Sequence, residues 1–387
     1  MSALVLLLLT AAPSASGAAS APADVVDFID SVRPLFQVVT CQAGELPAGL
    51  DAKTVASYCD RMRPRFERFQ KHWGTTAKDF LATLRPKDLP DEVVYPFGGG
   101  DLMSALMTYP DARIITTLSL ELAGDPRRLP GLTDAKVLGQ SLSALSEASA
   151  STLMSNDSLS KNLSAVQRGQ LPGQLSMHLM GLALFGFEPV RVRYFRVESD
   201  GALHYFTAAD ISALEAQLAP KLKSNWKDPD FSPAFANVEV EFVPRGQPGA
   251  PRRVHRHLAA NLHSDDLKLT PGVLKHLEAK GRVAAMTKAA SYLLWREGFA
   301  TIRDYLLAHA DFMVSDSTGI PPSFWTKRSC AVAAYGSFQK SFLGTWEGYQ
   351  EEFRKLFAKA GALPMRYGYP DGSPEKRNHL VVVTCPR

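Results

Sequence analysis

The sequence predicts an α/β fold, and three stretches carry that prediction. Residues 93–97, Val-Val-Tyr-Pro-Phe, form an apolar run of β-formers that ends in Gly98-Gly99-Gly100-Asp101. Leu102, Ala105, Leu106 and Tyr109 then recur at i, i+3, i+4 and i+7, one face of a short helix. After the break at Tyr109-Pro110-Asp111, residues 113–120 form a second β-rich run with Glu121 at its carboxyl end. A strand, a glycine turn, a helix and a strand in this order make half of a nucleotide-binding unit.

Each part of that unit has a chemical use. Glycine permits positive φ and close approach of a ligand or another backbone. Asp101 is placed to cap the helix, whose first N–H groups lack intrahelical partners. An acid beyond the second strand accepts hydrogen bonds from ribose hydroxyls. Gly98, Gly99, Gly100, Asp101 and Glu121 are therefore the candidate cofactor-binding residues. The turn is not the full G-x-G-x-x-G pattern, and the same residues also describe a tight turn capped by Asp101.

Composition excludes some classes. The chain has 387 residues and a formal net charge of +4 with no dense Lys/Arg tract, which gives no case for nucleic acid. Near the N-terminus, Val5-Leu6-Leu7-Leu8-Leu9 lies in an apolar stretch of about ten residues, too short to span a bilayer and suited to a signal peptide. Ala19-Ser20-Ala21 and Ala21-Pro22-Ala23 are both small-x-small cleavage sites, and cleavage before Asp24 avoids a proline as first residue. Residues 1–23 are thus expected to be removed on export to a periplasmic or extracellular location, with no stable membrane anchor. The four cysteines fit that compartment. They allow three pairings; Cys41–Cys59 and Cys330–Cys385 keep each pair within one region, and four buried thiols are the alternative. No C-x-x-C occurs, so no zinc ribbon is indicated.

In chain order, residues 24–90 read as a helical region. Val25, Phe28, Ile29 and Val32 share one face, and Val55, Tyr58, Cys59, Met62 and Phe66 share another within a helix over 54–73. Residues 91–387 form the α/β domain. Helices are predicted over 134–154 and within 159–184, the latter interrupted at Leu171-Pro172-Gly173. His178, among Met177, Leu179 and Met180, reads as a core histidine. An insertion of two β-hairpins is expected at about 188–263: residues 190–197 with 202–206 around Ser199-Asp200-Gly201, and 238–243 with 253–262. His255 and His257 share one face of the last strand and His263 follows, but no third metal ligand is placed and no metal site is expected. Further on come a helix over 271–280, a stretch at 283–295 read as helix and then strand (290–294), a helix over 299–308 and a strand over 311–316. A polar turn, a helix over 346–359 and a strand pair, 365–369 with 379–384, close the chain.

This order implies a Rossmann-like sheet, with Asp101, Glu121 and Asp316 at carboxyl ends of strands, where open α/β sheets bind ligands. The strand–glycine–helix–strand–Glu unit and the antiparallel close resemble the class I S-adenosylmethionine-dependent methyltransferase fold. That resemblance implies Gly98–Gly100 as the cofactor turn and Glu121 as the ribose acid; Tyr95-Pro96-Phe97 replaces the usual acid before the turn. The chain also resembles a family of exported bacterial proteins without an assigned activity. The shared features are a Tyr-Pro-Phe-x-Gly-x-Asp turn (Tyr95 to Asp101) and a Gly-Ile-Pro segment (Gly319, Ile320, Pro321) after Asp316 and Thr318.

Three functions follow as expectations. The first is an exported, non-catalytic α/β protein that binds a small molecule or an extracellular partner. The second is a methyltransferase-like enzyme in which Tyr95, Tyr292, Asp316 and Thr318 face the substrate. The third is a hydrolase using Asp101, Glu121 or Asp316 as acid or base. Neither G-x-S-x-G nor H-E-x-x-H occurs.

Overall fold

A computed structural model describes residues 24–155, 170–218, 232–288, 290–338, 347–367 and 379–386; the expected signal peptide lies outside them. The strands are β1 (Glu92–Pro96), β2 (Ile114–Ser119), β3 (Phe187–Val197), β4 (Leu203–Tyr205), β5 (Asn237–Pro244), β6 (Arg253–Ala259), β7 (Val283–Thr287), β8 (Ala310–Asp316), β9 (Ala331–Gly336) and β10 (His379–Thr384). They form one ten-stranded sheet in the order β4-β3-β5-β6-β2-β1-β7-β8-β10-β9. The α/β class expected from the sequence holds.

The strands β6, β2, β1, β7 and β8 pair in parallel. Parallel strands are covered on both faces, which is why they read as near-continuous apolar runs; every residue of β7 and β8 is buried. Alternation still sorts the side chains. Val93 and Tyr95 join a core with the N-terminal helices Ile29–Thr40 and Ala52–Phe69 and the Gly173–Leu184 helix, while Val94 joins the core on the opposite face under the Pro271–Glu278, Ala300–His309 and Glu347–Phe357 helices.

The wing β4-β3-β5 is antiparallel, and β10 runs antiparallel to both β8 and β9. The two expected hairpins exist, but β6 is also a parallel core strand beside β2, so the second hairpin is half insertion and half core.

Three assignments need correction. Residues 283–295 are strand first and 3-10 turn second: β7 ends at Thr287, and Ala290–Trp295 is a 3-10 segment. Alanines at 284 and 285 suggest helix by propensity, but their small side chains fit a central strand packed on both faces. At the chain's end, β10 pairs with β8 and with the unforeseen β9; residues 368 and 369 of the expected partner strand lie outside the described residues. Residues 365–367 supply one backbone bond, His379 N–H to Tyr367 O at 2.9 Å, and the expected turn at 370–372 lies outside the described residues. The expected helix over 54–73 ends at Phe69, and a π-helical segment, Gln70–Ala77, continues it.

Both cysteine pairs form as expected. Cys41 and Cys59 join the first two helices with Cα atoms 5.3 Å apart. Cys330 and Cys385, with Cα atoms 4.1 Å apart, flank the paired residues Ala331 and Thr384 of β9 and β10, so the register itself brings them together. Among the described residues no helix is long and apolar enough to cross a membrane.

Candidate functional site

Ligands of open α/β sheets bind beyond the carboxyl ends of the strands where the strand order reverses direction. Here that point lies between β1 and β7: chain order runs outward through β2 and β6 on one side and through β8 on the other. The loop leaving β1 bends sharply, with φ of 61° at Phe97 and 50° at Gly99. Gly98 N–H donates to Leu118 O of β2 at 3.1 Å. Asp101 then caps the Leu102–Thr108 helix, accepting from Ser104 N–H at 3.1 Å.

The crevice is filled by polar side chains of the chain itself. Lys288 follows β7 directly; its side chain is 1% exposed and that of Asp101 2%. The Lys288 ammonium donates to Asp101 Oδ2 at 2.9 Å and to Ser104 Oγ at 3.0 Å. The Tyr95 hydroxyl donates to the same carboxylate oxygen at 3.1 Å. The Tyr367 ring lies 5.7 Å from Lys288 Nζ. Its hydroxyl is buried with no hydrogen-bond partner among the described residues. Burial, reinforced by the Asp101 and Asp316 carboxylates, holds both phenols protonated far above the ordinary tyrosine range.

Asp316 ends β8 in the same region, fully buried, and accepts from Thr318 N–H at 2.8 Å and from the Thr318 hydroxyl. Ser317 Oγ sits 2.8 Å from His379 Nδ1. Trp295 Nε1–H donates to Gly319 O at 2.6 Å, tying the 3-10 segment to this turn.

The Gly173–Leu184 helix roofs the glycine turn. A Cβ on Gly100 would lie 2.9 Å from Met177 Cβ and 3.1 Å from Gln174 Oε1. His178 Nε2 lies 3.1 Å from Gly99 O. Gln174 Nε2 donates to Glu121 Oε2 at 3.3 Å and to Ser119 Oγ at 3.1 Å. Beneath the roof three histidines meet: the His178 ring centroid is 4.3 Å from that of His255 and 5.2 Å from that of His257.

One proton arrangement satisfies their bonds. His178 Nε2–H donates to Gly99 O, and His257 Nε2–H donates to Glu121 O at 2.8 Å. The Thr117 hydroxyl donates to His257 Nδ1 at 3.2 Å and accepts from His255 Nε2–H at 3.0 Å. The two atoms left without a partner are the bare Nδ1 acceptors of His178 and His255. Burial, then the neighbouring His257, lowers His178 to about 3, and burial first of all lowers His255 and His257, so all three are neutral imidazoles. Among the described residues no cluster of His, Cys, Asp and Glu is arranged to hold a metal ion.

Of the residues chosen from sequence, Tyr95 and Asp101 meet in the crevice and Asp316 and Thr318 end the strand beside it. Glu121 stands apart, beyond β2, held by Gln174. Tyr292 is half-buried in the 3-10 segment. Lys288, Ser104 and Tyr367 were not anticipated. The one available signal for Lys288 was a cation directly after an apolar run, hidden by reading that run as helix.

Met177 and Gln174 stand against the glycine turn at Gly100, and Gln174 engages one oxygen of the Glu121 carboxylate. A Cβ on Gly98 would lie 2.9 Å from the Tyr95 ring, so this glycine serves packing within the turn. The fold and the site thus define a mixed α/β protein with one large sheet and a switch point closed by its own side chains. No protein-family model matches the chain, and no significant match was found among curated proteins or solved structures.

Proposed function

We propose that this chain is an exported α/β protein that binds a ligand without catalysis, on a methyltransferase-like sheet whose cofactor crevice is filled. The strand order supports the sheet relationship. Numbered by themselves, β1, β2, β6, β7, β8, β9 and β10 stand as 3-2-1-4-5-7-6 with the reversed strand beside the edge, the arrangement implied by the resemblance to the class I fold. Two disulfides are compatible with an oxidising compartment.

The observation that carries the reading is the buried Asp101–Lys288 pair beneath the Gly173–Leu184 roof. Hydrolysis needs two acids facing a shared opening; Asp101 bound to Lys288 and Glu121 bound to Gln174 weigh against it. The test is thermal unfolding of the mature chain, from Asp24, with excess S-adenosylhomocysteine. A ligand at a hundred times its dissociation constant stabilises by about 2.7 kcal/mol, a shift of roughly 3–4 °C for a chain of this length. No shift is expected. A shift of that size that vanishes in Glu121→Ala would replace this reading with a methyltransferase-like enzyme.

A further inference from the structure

Away from the sheet crevice, a cleft of about 480 Å³ opens between the π-helical segment Gln70–Ala77 and residues 363–366. This is within the usual size range of small-molecule sites, roughly 300–1,000 Å³. Its walls divide by chemistry. Trp73, Leu153 and Met365 are buried at 4%, 1% and 7% exposure and offer an apolar floor. Arg68, His72 and Arg366 are exposed at its rim. Among the described residues no carboxylate lines it and neither arginine makes an ion pair.

The backbone is built for this shape. π-Helical turns are rare and cluster at functional sites, because the wider turn costs stability. Here the turn is pinned from outside: the Gln70 side chain donates to Leu184 O, at the end of the Gly173–Leu184 helix. Gly74 leaves room for the Gln70 amide, which a Cβ there would displace from its present position. The widened turn presents Trp73 and His72 to the same opening.

We propose that this cleft binds an organic anion with an apolar body, an acyl or aryl carboxylate or phosphate monoester. The body lies on Trp73, Leu153 and Met365, and the headgroup meets the guanidinium forks of Arg68 and Arg366, whose geometry matches both anions. The inference rests on the reading of the chain as a binding protein. It is tested separately, because S-adenosylhomocysteine reports on the crevice beyond β1 and Trp73 reports on this cleft.

The probe is monomeric ω-bromodecanoate, whose bromine quenches tryptophan fluorescence on contact, titrated into the full mature chain. Saturable quenching is expected, and it is lost in Trp73→Phe. The double variant Arg68→Gln/Arg366→Gln changes only exposed side chains and keeps the native circular dichroism; its affinity is expected to fall at least tenfold. Displacement by decanoate or by decyl phosphate identifies the headgroup. Displacement by neither, equal binding of ω-bromodecanol, unchanged affinity in the double arginine variant, or quenching that survives Trp73→Phe would each overturn the proposal.

Discussion

Replacing Lys288 with methionine tests whether the switch point is closed. Methionine keeps most of the apolar stem, so the packing loss is small and the lost charge dominates. Asp101 is then left 2% exposed, holding a carboxylate that accepts from the Tyr95 hydroxyl and the Ser104 N–H but has lost its cation. Breaking one side of a buried ion pair costs about 3–5 kcal/mol, because the remaining charge stays desolvated. In urea, with a slope of about 3 kcal/mol/M or more for a chain this long, the midpoint is expected to fall by roughly 1–1.5 M. The double variant Asp101→Asn/Lys288→Met removes both charges and keeps a hydrogen-bonding amide. It is expected to be more stable than the sum of the single losses implies, by about 2 kcal/mol. The assay is equilibrium unfolding of the four proteins by fluorescence and far-ultraviolet circular dichroism, with coincident transitions required. A loss under about 1 kcal/mol for Lys288→Met, or strict additivity in the double variant, would mean that water reaches the pair. The crevice would then be open, and its residues would again be candidates for ligand contact.

Two further outcomes are expected. The buried histidines make the fold acid-sensitive: His178 is lowered from 6.5 to about 3 and His255 well below 6.5, so below pH 6.5 the unfolded chain takes up protons that the folded chain refuses. A folded pKa below the unfolded one gives stability that is complete above pH 6.5 and is lost on acidification towards about 3, by about 1.4 kcal/mol per pH unit for each histidine. Urea midpoints measured between pH 7 and 4.5 are expected to decline less steeply in His178→Gln, and an unchanged slope would contradict the assignment. The disulfides differ in leverage: closing 55 residues with Cys330–Cys385 stabilises by about 4 kcal/mol, and closing 18 with Cys41–Cys59 by about 3 kcal/mol. Paired serine substitutions are expected to lower the urea midpoint in that order, and the denatured, unreduced chain should show no free thiol by alkylation and mass measurement; four reactive thiols would remove both bridges.

What could be seen in the sequence is what local pattern determines. β1, the glycine turn, the Leu102–Thr108 helix and β2 announce themselves through period and turn residues within about thirty positions. β7 does not, because a five-residue run centred on two alanines takes its state from the layers that cover it. β9 is a short edge strand whose pairing depends on β10, almost fifty residues later, and nothing local marks it. The site follows the same division. Asp101 as a cap was legible; its cation lies 187 residues away, and the amide that holds Glu121 lies 53 away. Those distances also explain why a glycine turn followed by an acid is weak evidence for a nucleotide. Gly98 must be glycine to clear the Tyr95 ring, and Gly100 to clear Met177 and Gln174. Both requirements are met by packing alone, so the pattern persists whether or not a cofactor ever enters. The discriminating residues are the ones standing where the cofactor would be, and they come from a helix that local pattern gave no reason to place there.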